Sequence, residues 1–336
     1  MKDKYRNIFL AFGIIAVLIM MFTFDMNYQE LWANLKRAGI YLPLVLLLWL
    51  VVYFINTLSW YSIIRSGGKA GFSFARLYKF TVTGFALNYV TPVGLMGGEP
   101  YRIMELKPYI GIERATSSVI LYVMMHIFSH FCFWLSSVVL YISLYPMGWG
   151  MGIVLGIITL FCLLVTVLFI KAYRDGMVVA CVHVGSRIPF LKRKVLHFAE
   201  AYKEKLENID RQIALLHQQK KRTFYAVLSL EYIARVVSCL EIWLILNVLT
   251  SHVSFADCCL IAAFSSLLAN LLFFLPMQLG GREGGFALAV GGLSLSGAYG
   301  VYVALITRVR EMIWIVIGLA FMKIGNKQLL SSDKRI

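Results

Sequence analysis

Charge is what this chain has least of. Only 15% of its 336 residues are charged, against roughly 25% in an ordinary soluble domain. Hydrophobic residues make up 60%, and the mean hydropathy is +0.76. That balance excludes an ordinary water-soluble globule. Proline is scarce as well, at 7 residues, so long apolar runs go uninterrupted. The 6 cysteines follow no disulfide spacing. Cys132, Cys162 and Cys239 lie within apolar runs and Cys258 adjoins Cys259, the pattern of small buried hydrophobes. The 6 histidines are too scattered to build the several histidine boxes of a membrane desaturase or hydroxylase. No GxSxG, P-loop, CxxC or dinucleotide fingerprint occurs, which leaves the common nucleophilic, nucleotide and redox-cofactor chemistries without their residues. No catalytic residue and no cofactor is therefore expected, and the chain reads as something other than an enzyme.

What the chain has in quantity is apolar sequence in lengths of about 20 residues, the length a helix needs to cross a bilayer. Six such runs are clear: Ile8–Phe24, Tyr41–Ile64, Ala115–Ile142, Trp149–Ile170, Thr223–Leu249 and Tyr299–Met322. A seventh, Phe255–Leu275, leads into Pro276, and a shorter one, Phe80–Val90, is too short to span alone. Ile8–Phe24 follows a basic start but lacks a small-x-small cleavage site, so it reads as a retained helix rather than a signal peptide. The expected fold class is an all-α polytopic membrane protein.

The net charge is +15, and its placement gives an orientation. Lys and Arg crowd the N-terminus, the links Arg65–Lys79 and Arg102–Arg114, the segment Lys171–Arg222 and the C-terminal tail. The links Asp25–Gly39, Tyr145–Gly148 and Thr250–Ser254 are poorer in both. By the positive-inside rule both termini and the basic links are cytoplasmic. Within Lys171–Arg222 apolar residues recur at three- and four-residue steps from Val195 to Leu216, an amphipathic helix suited to the inner leaflet. The basic charge thus reads as membrane-directed, with no nucleic-acid partner expected.

Two short stretches copy each other. Pro92 is followed by Gly97, Gly98 and Glu99; Pro276 is followed by Gly280, Gly281 and Glu283. Each carboxylate stands seven positions after its proline. Paired breaks at matching points of two halves mark the binding region of transporters built from repeats. With both termini inside, the hairpin Phe80–Gly98 enters from the cytoplasm and Phe255–Gly292 from outside. The chain is then expected to be an inverted repeat with two broken re-entrant helical hairpins. Its expected segments are an N-terminal helix and link (1–39), a first repeat (40–170), a basic segment (171–222), a second repeat (223–322) and a tail (323–336).

Candidate site residues gather around these breaks. Glu99 and Glu283 stand where helices would restart, so each is either an N-terminal cap or a carboxylate that meets a cationic headgroup or an arginine. Arg102, Arg282, Arg308, Arg310 and Glu311 also fall in or beside apolar sequence, where an ionisable side chain is a functional hypothesis by default. A guanidinium suits a phosphate because its planar fork donates two hydrogen bonds. Arg308 and Glu311, or Glu231 and Arg235, are spaced to pair within one helix, whereas Glu241 has no obvious partner. His126 and His130 share a helix face, but no acidic ligand adjoins them, and no metal is expected.

Asn88–Arg102 resembles the first signature of the lysylphosphatidylglycerol synthase transmembrane family, also described as flippase-like. Leu275–Phe286 is similar to its second signature, and Thr307–Trp314 followed by Gly318 to its closing helix. The resemblance covers nearly the whole chain. It implies a multi-pass protein of the bacterial cytoplasmic membrane that moves an anionic lipid between leaflets, aminoacyl-phosphatidylglycerol-like or polyprenyl-linked. The implied translocation residues are Glu99, Arg102, Arg282, Glu283, Arg308 and Glu311. The tail Lys323–Ile336 is too short for the aminoacyl-transferase domain of the bifunctional members, so that activity is not expected. The alternative is a non-transporting accessory that binds a lipid-modifying enzyme or glycosyltransferase through its basic face.

Overall fold

The computed structural model describes residues 36–90, 97–175, 221–250, 253–271, 281–293 and 295–324, with residues 32 and 33 and scattered positions between 182 and 210. The apolar run Ile8–Phe24, most of the basic segment Lys171–Arg222, the tail after residue 324, and Pro92, Pro276 and Gly280 lie outside the described residues. All regular structure among the described residues is helical. The principal helices are α1 (Tyr41–Ser66), α2 (Phe74–Val90), α3 (Gly98–Ile110), α4 (Ile112–Leu144), α5 (Trp149–Asp175), α6 (Lys221–Leu246), α7 (Phe255–Leu271), α8 (Gly281–Gly291) and α9 (Gly297–Ile324).

Three stretches are long and apolar enough to cross a membrane: Tyr41–Ser66, Ile112–Leu144 and Trp149–Lys171. The third exposes apolar side chains nearly all round, among them Trp149, Ile157, Leu160 and Val167, as a helix in contact with lipid does. α6 and α9 are as long, at 26 and 28 residues, and coincide with two of the expected apolar runs. Neither is among those three, and both carry charged residues in their middles, Glu231, Arg235 and Glu241 in α6 and Arg308, Arg310 and Glu311 in α9. The basic link Arg102–Arg114 is itself helical, most of it in α3. α3 ends just beyond an internal proline, Pro108, where a backbone donor is missing. Gly111 (φ +79°) turns the chain directly into α4, a backbone region that favours glycine.

The chain divides into two compact units. The first comprises Met1–Phe54, Phe74–Arg102 and Ala234–Ile336; the second Ile55–Ser73 and Ile103–Ile233. The core of the first unit is aliphatic and aromatic: Val45, Ile242, Ile245, Ile261, Phe286, Val290, Val303 and Ile306 pack as one cluster. α9 lies against α2 in this unit, and Gly318 is the reason it can. A Cβ there would stand 3.1 Å from the Val82 carbonyl, and the Gly318 carbonyl accepts from Thr83 Oγ1 at 2.9 Å. Small residues at such crossings let backbones approach where lipid removes any hydrophobic drive between helices.

In the second unit α4 packs on α5, with Phe128 and Phe169 stacked at 4.2 Å. Trp60 stacks on Tyr122 at 5.5 Å. The end of α1 is closed by a side chain: Arg114 donates to the carbonyls of Ile64 and Gly68, each at 2.7 Å, and of Lys69 at 3.1 Å. These are carbonyls that a helix end leaves without intrahelical partners.

Candidate functional site

The first unit holds four arginines and four glutamates that pair with one another, and their formal charges cancel. Arg310 Nε donates to Glu241 Oε1 at 2.9 Å and its Nη2 to Glu241 Oε2 at 3.0 Å. Trp49 Nε1 donates to the same Oε2 at 2.9 Å, and the Arg310 guanidinium lies 3.8 Å over the Trp49 ring. Arg310 Nη1 also stands 3.6 Å from Glu311 Oε1, which accepts from Arg282 Nη1. Arg308 Nε donates to Glu283 Oε1 at 2.6 Å.

The pairing of α8 with α9 is crossed: Arg282 meets Glu311 and Glu283 meets Arg308. Residues 308 and 311 lie one turn apart on a single face of α9, while neighbours 282 and 283 point about 100° apart on α8. Two consecutive side chains of one helix can therefore clasp one face of the next. Arg308 and Glu311, spaced to pair within their own helix, instead reach across to α8.

The first break is organised by Asn88, in the last turn of α2. Its Oδ1 accepts from the Gly98 backbone N–H at 2.7 Å, and its Nδ2 donates to Glu99 Oε1 at 3.0 Å. Gly98 must be glycine here, because a Cβ would collide with the Gly84 carbonyl. Gly97 and Gly98 are both buried. Arg102, 1% exposed, donates to Glu99 Oε1 at 3.4 Å and to the Thr81 carbonyl at 3.3 Å. Its guanidinium lies 4.8 Å from the Phe85 ring and takes the space a Cβ at Gly84 would need. Helices α3 and α8 start at Gly98 and Gly281, so Glu99 and Glu283 both fall in a first turn, the favourable end for a carboxylate.

Exposure grades across the set. Glu241, Arg308, Arg310 and Glu311 are buried. Arg282, Glu99 and Glu283 are part-exposed, at 18%, 21% and 28% of their side chains. Buried charges of this kind are tolerated only as pairs, and removing one partner costs about 3–5 kcal/mol. Arg310 and Glu241 were not among the implied translocation residues. The available signal was a pair of opposite charges in two separate apolar runs, each without a sure partner on its own helix. His126 and His130 belong to the second unit, where His126 meets Glu231. Among the described residues no group of three or more His, Cys, Asp or Glu side chains is placed to hold a metal ion.

Long apolar helices together with charged pairs enclosed in an apolar core define a helical membrane protein. The chain belongs to the family of the lysylphosphatidylglycerol synthase TM region, whose model matches residues 8–319. The matched span includes all eight members of the charge set, and the family relates the chain to lipid handling. No curated protein and no solved structure matches the chain.

Proposed function

We propose that this protein is a lipid flippase. It moves an anionic lipid, aminoacyl-phosphatidylglycerol-like or polyprenyl-linked, between the leaflets of a bacterial cytoplasmic membrane. The observation that carries the reading is the crossed clasp of Arg282 and Glu283 with Glu311 and Arg308, buried on the α9 side and part-exposed on the α8 side. Family membership supports the same direction.

In this reading α2 with α3 and α7 with α8 are two re-entrant hairpins of an inverted repeat, entered from opposite sides, with both termini cytoplasmic. The segment layout is a first repeat over 40–170 and a second over 223–322, joined by the basic segment 171–222. A headgroup phosphate takes Arg282 or Arg308 from its glutamate. One charge-assisted bond replaces another of similar strength, so the arginine is never left buried without an anion, the state that costs most. The freed carboxylate of Glu283 or Glu311 accepts an ammonium where the headgroup carries one. Arg102, enclosed by Thr81, Gly84 and Phe85, holds the first hairpin and adds positive field near Glu99. The acyl chains stay in the bilayer while the headgroup crosses. The test is leaflet-resolved lipid movement in liposomes, compared with Glu283→Gln and Arg308→Ala.

A further inference from the structure

A second buried acidic site lies in the second unit, apart from the eight charges of the first. Glu231 of α6 has no exposed surface. Its Oε2 stands 2.7 Å from His126 Nδ1 of α4, and its Oε1 is buried with no hydrogen-bond partner among the described residues. An ionised carboxylate wants donors on both oxygens, and leaving one without a donor in an apolar interior disfavours the charged form. The protonated acid needs fewer. The imidazole is the side chain whose ordinary proton affinity falls in the physiological range, and His126 is 30% exposed at its side chain, so the pair reaches the surface of the unit through the imidazole. The next imidazole, His130, stands edge-on at 5.7 Å between ring centres.

Around the pair, α4 contributes His130, and Tyr122 with its ring centre 6.2 Å from that of His126; behind Tyr122 lies Trp60 of α1. On α6 itself Tyr232 adjoins Glu231, and Arg235 follows one helical turn later. Ser66, Met125, Thr223 and Val227 help line a cleft in the same unit.

We propose that Glu231 and His126 form a proton-loading site that couples a pH gradient to the lipid step. The coupling rests on the flippase reading; the binding of the proton does not. The pair takes one proton from the side to which His126 is open and gives it up on the other, with no other atom exchanged. Ionisable side chains inside membrane bundles serve such relays, and α6 carries both Glu231 and Glu241, one residue from each polar set.

Two measurements on the full-length protein test this. The first is pH-difference infrared spectroscopy of the protein in lipid discs. A carboxylic-acid C=O band should titrate in the native chain, vanish in Glu231→Gln, persist in Glu99→Gln and shift its midpoint in His126→Gln. The second uses liposomes containing a fluorescent phosphatidylglycerol analogue, with and without an imposed pH gradient. The gradient should speed leaflet exchange several-fold, and Glu231→Gln should exchange at the gradient-free rate under either condition. A band that survives Glu231→Gln, or exchange that responds equally to the gradient in the native chain and in Glu231→Gln, overturns the proposal. Exchange indistinguishable from protein-free liposomes under both conditions overturns the flippase reading and the coupling with it, and leaves the titrating band as a property of the pair alone.

Discussion

Arg310 and Glu241, 69 positions apart in the chain, meet through two parallel hydrogen bonds of 2.9 and 3.0 Å. One lies on α9 and the other on α6, the two long helices whose composition falls short of a plain membrane span. Glu241 of α6 finds its opposite charge on α9, and the charges of α9 find theirs on α6 and α8. Four of the charges that weaken the hydropathy signal, Glu241, Arg308, Arg310 and Glu311, are thus paired within the first unit.

Breaking that pair should be strongly destabilising. Arg310→Ala or Glu241→Ala leaves a buried charge alone, at a cost of about 3–5 kcal/mol. Replacing both with apolar residues of similar volume, as in Arg310→Met with Glu241→Leu, should recover most of the loss. Thermal unfolding in detergent checks this. A double variant as unstable as either single one would mean that the pair's hydrogen bonds, rather than the orphaned charge, dominate.

The glycines of the first break differ in what surrounds them. Gly84→Ala presses on the Arg102 guanidinium and Gly98→Ala on the Gly84 carbonyl, so each should lower stability by about 1–3 kcal/mol. Gly284→Ala meets nothing within 4 Å and lies inside α8, where alanine is favoured over glycine by up to about 1 kcal/mol. It should be neutral or stabilising. Melting temperatures of the three variants rank the sites, and the ranking fails if Gly284→Ala is the most damaging.

Asn88 should matter more than an ordinary polar residue near a helix end. Its side chain both accepts from the first N–H of α3 and donates to Glu99. Asn88→Ala leaves a buried N–H without a partner, a cost of about 1–3 kcal/mol; Asn88→Asp keeps the acceptor but sets a second carboxylate against Glu99. Both variants should increase amide hydrogen exchange at the start of α3, with α5 unchanged. Equal increases in both helices would point to general destabilisation instead.

The helices were legible in the sequence where composition alone decides them. Tyr41–Ile64, Ala115–Ile142 and Trp149–Ile170 stand out as apolar runs and appear as α1, α4 and α5. The helix starts at Gly98 and Gly281 were legible too, because a glycine pair after a proline in apolar sequence has few other uses. The pairing was not. Spacing along one helix points to Arg308 with Glu311 and Glu231 with Arg235, whereas the structure joins Arg308 to Glu283, Glu311 to Arg282 and Glu231 to His126. Partners on other helices depend on packing angle and depth, which periodicity does not encode. Arg310 and Glu241 show the same limit, since they meet across 69 positions of the chain.

The central claim is that the crossed clasp of α8 and α9 passes a lipid headgroup across the membrane. The most direct measurement reconstitutes the full chain in liposomes and follows a labelled anionic lipid by leaflet-specific quenching. The account predicts exchange well above protein-free liposomes, lost in Glu283→Gln and Arg308→Ala, and retained when lysines within 171–222 are neutralised. Exchange no faster than in protein-free liposomes contradicts it. So does an activity that survives Glu283→Gln and Arg308→Ala but disappears with the basic segment's charge, which is the behaviour of an accessory that recruits a lipid-modifying enzyme.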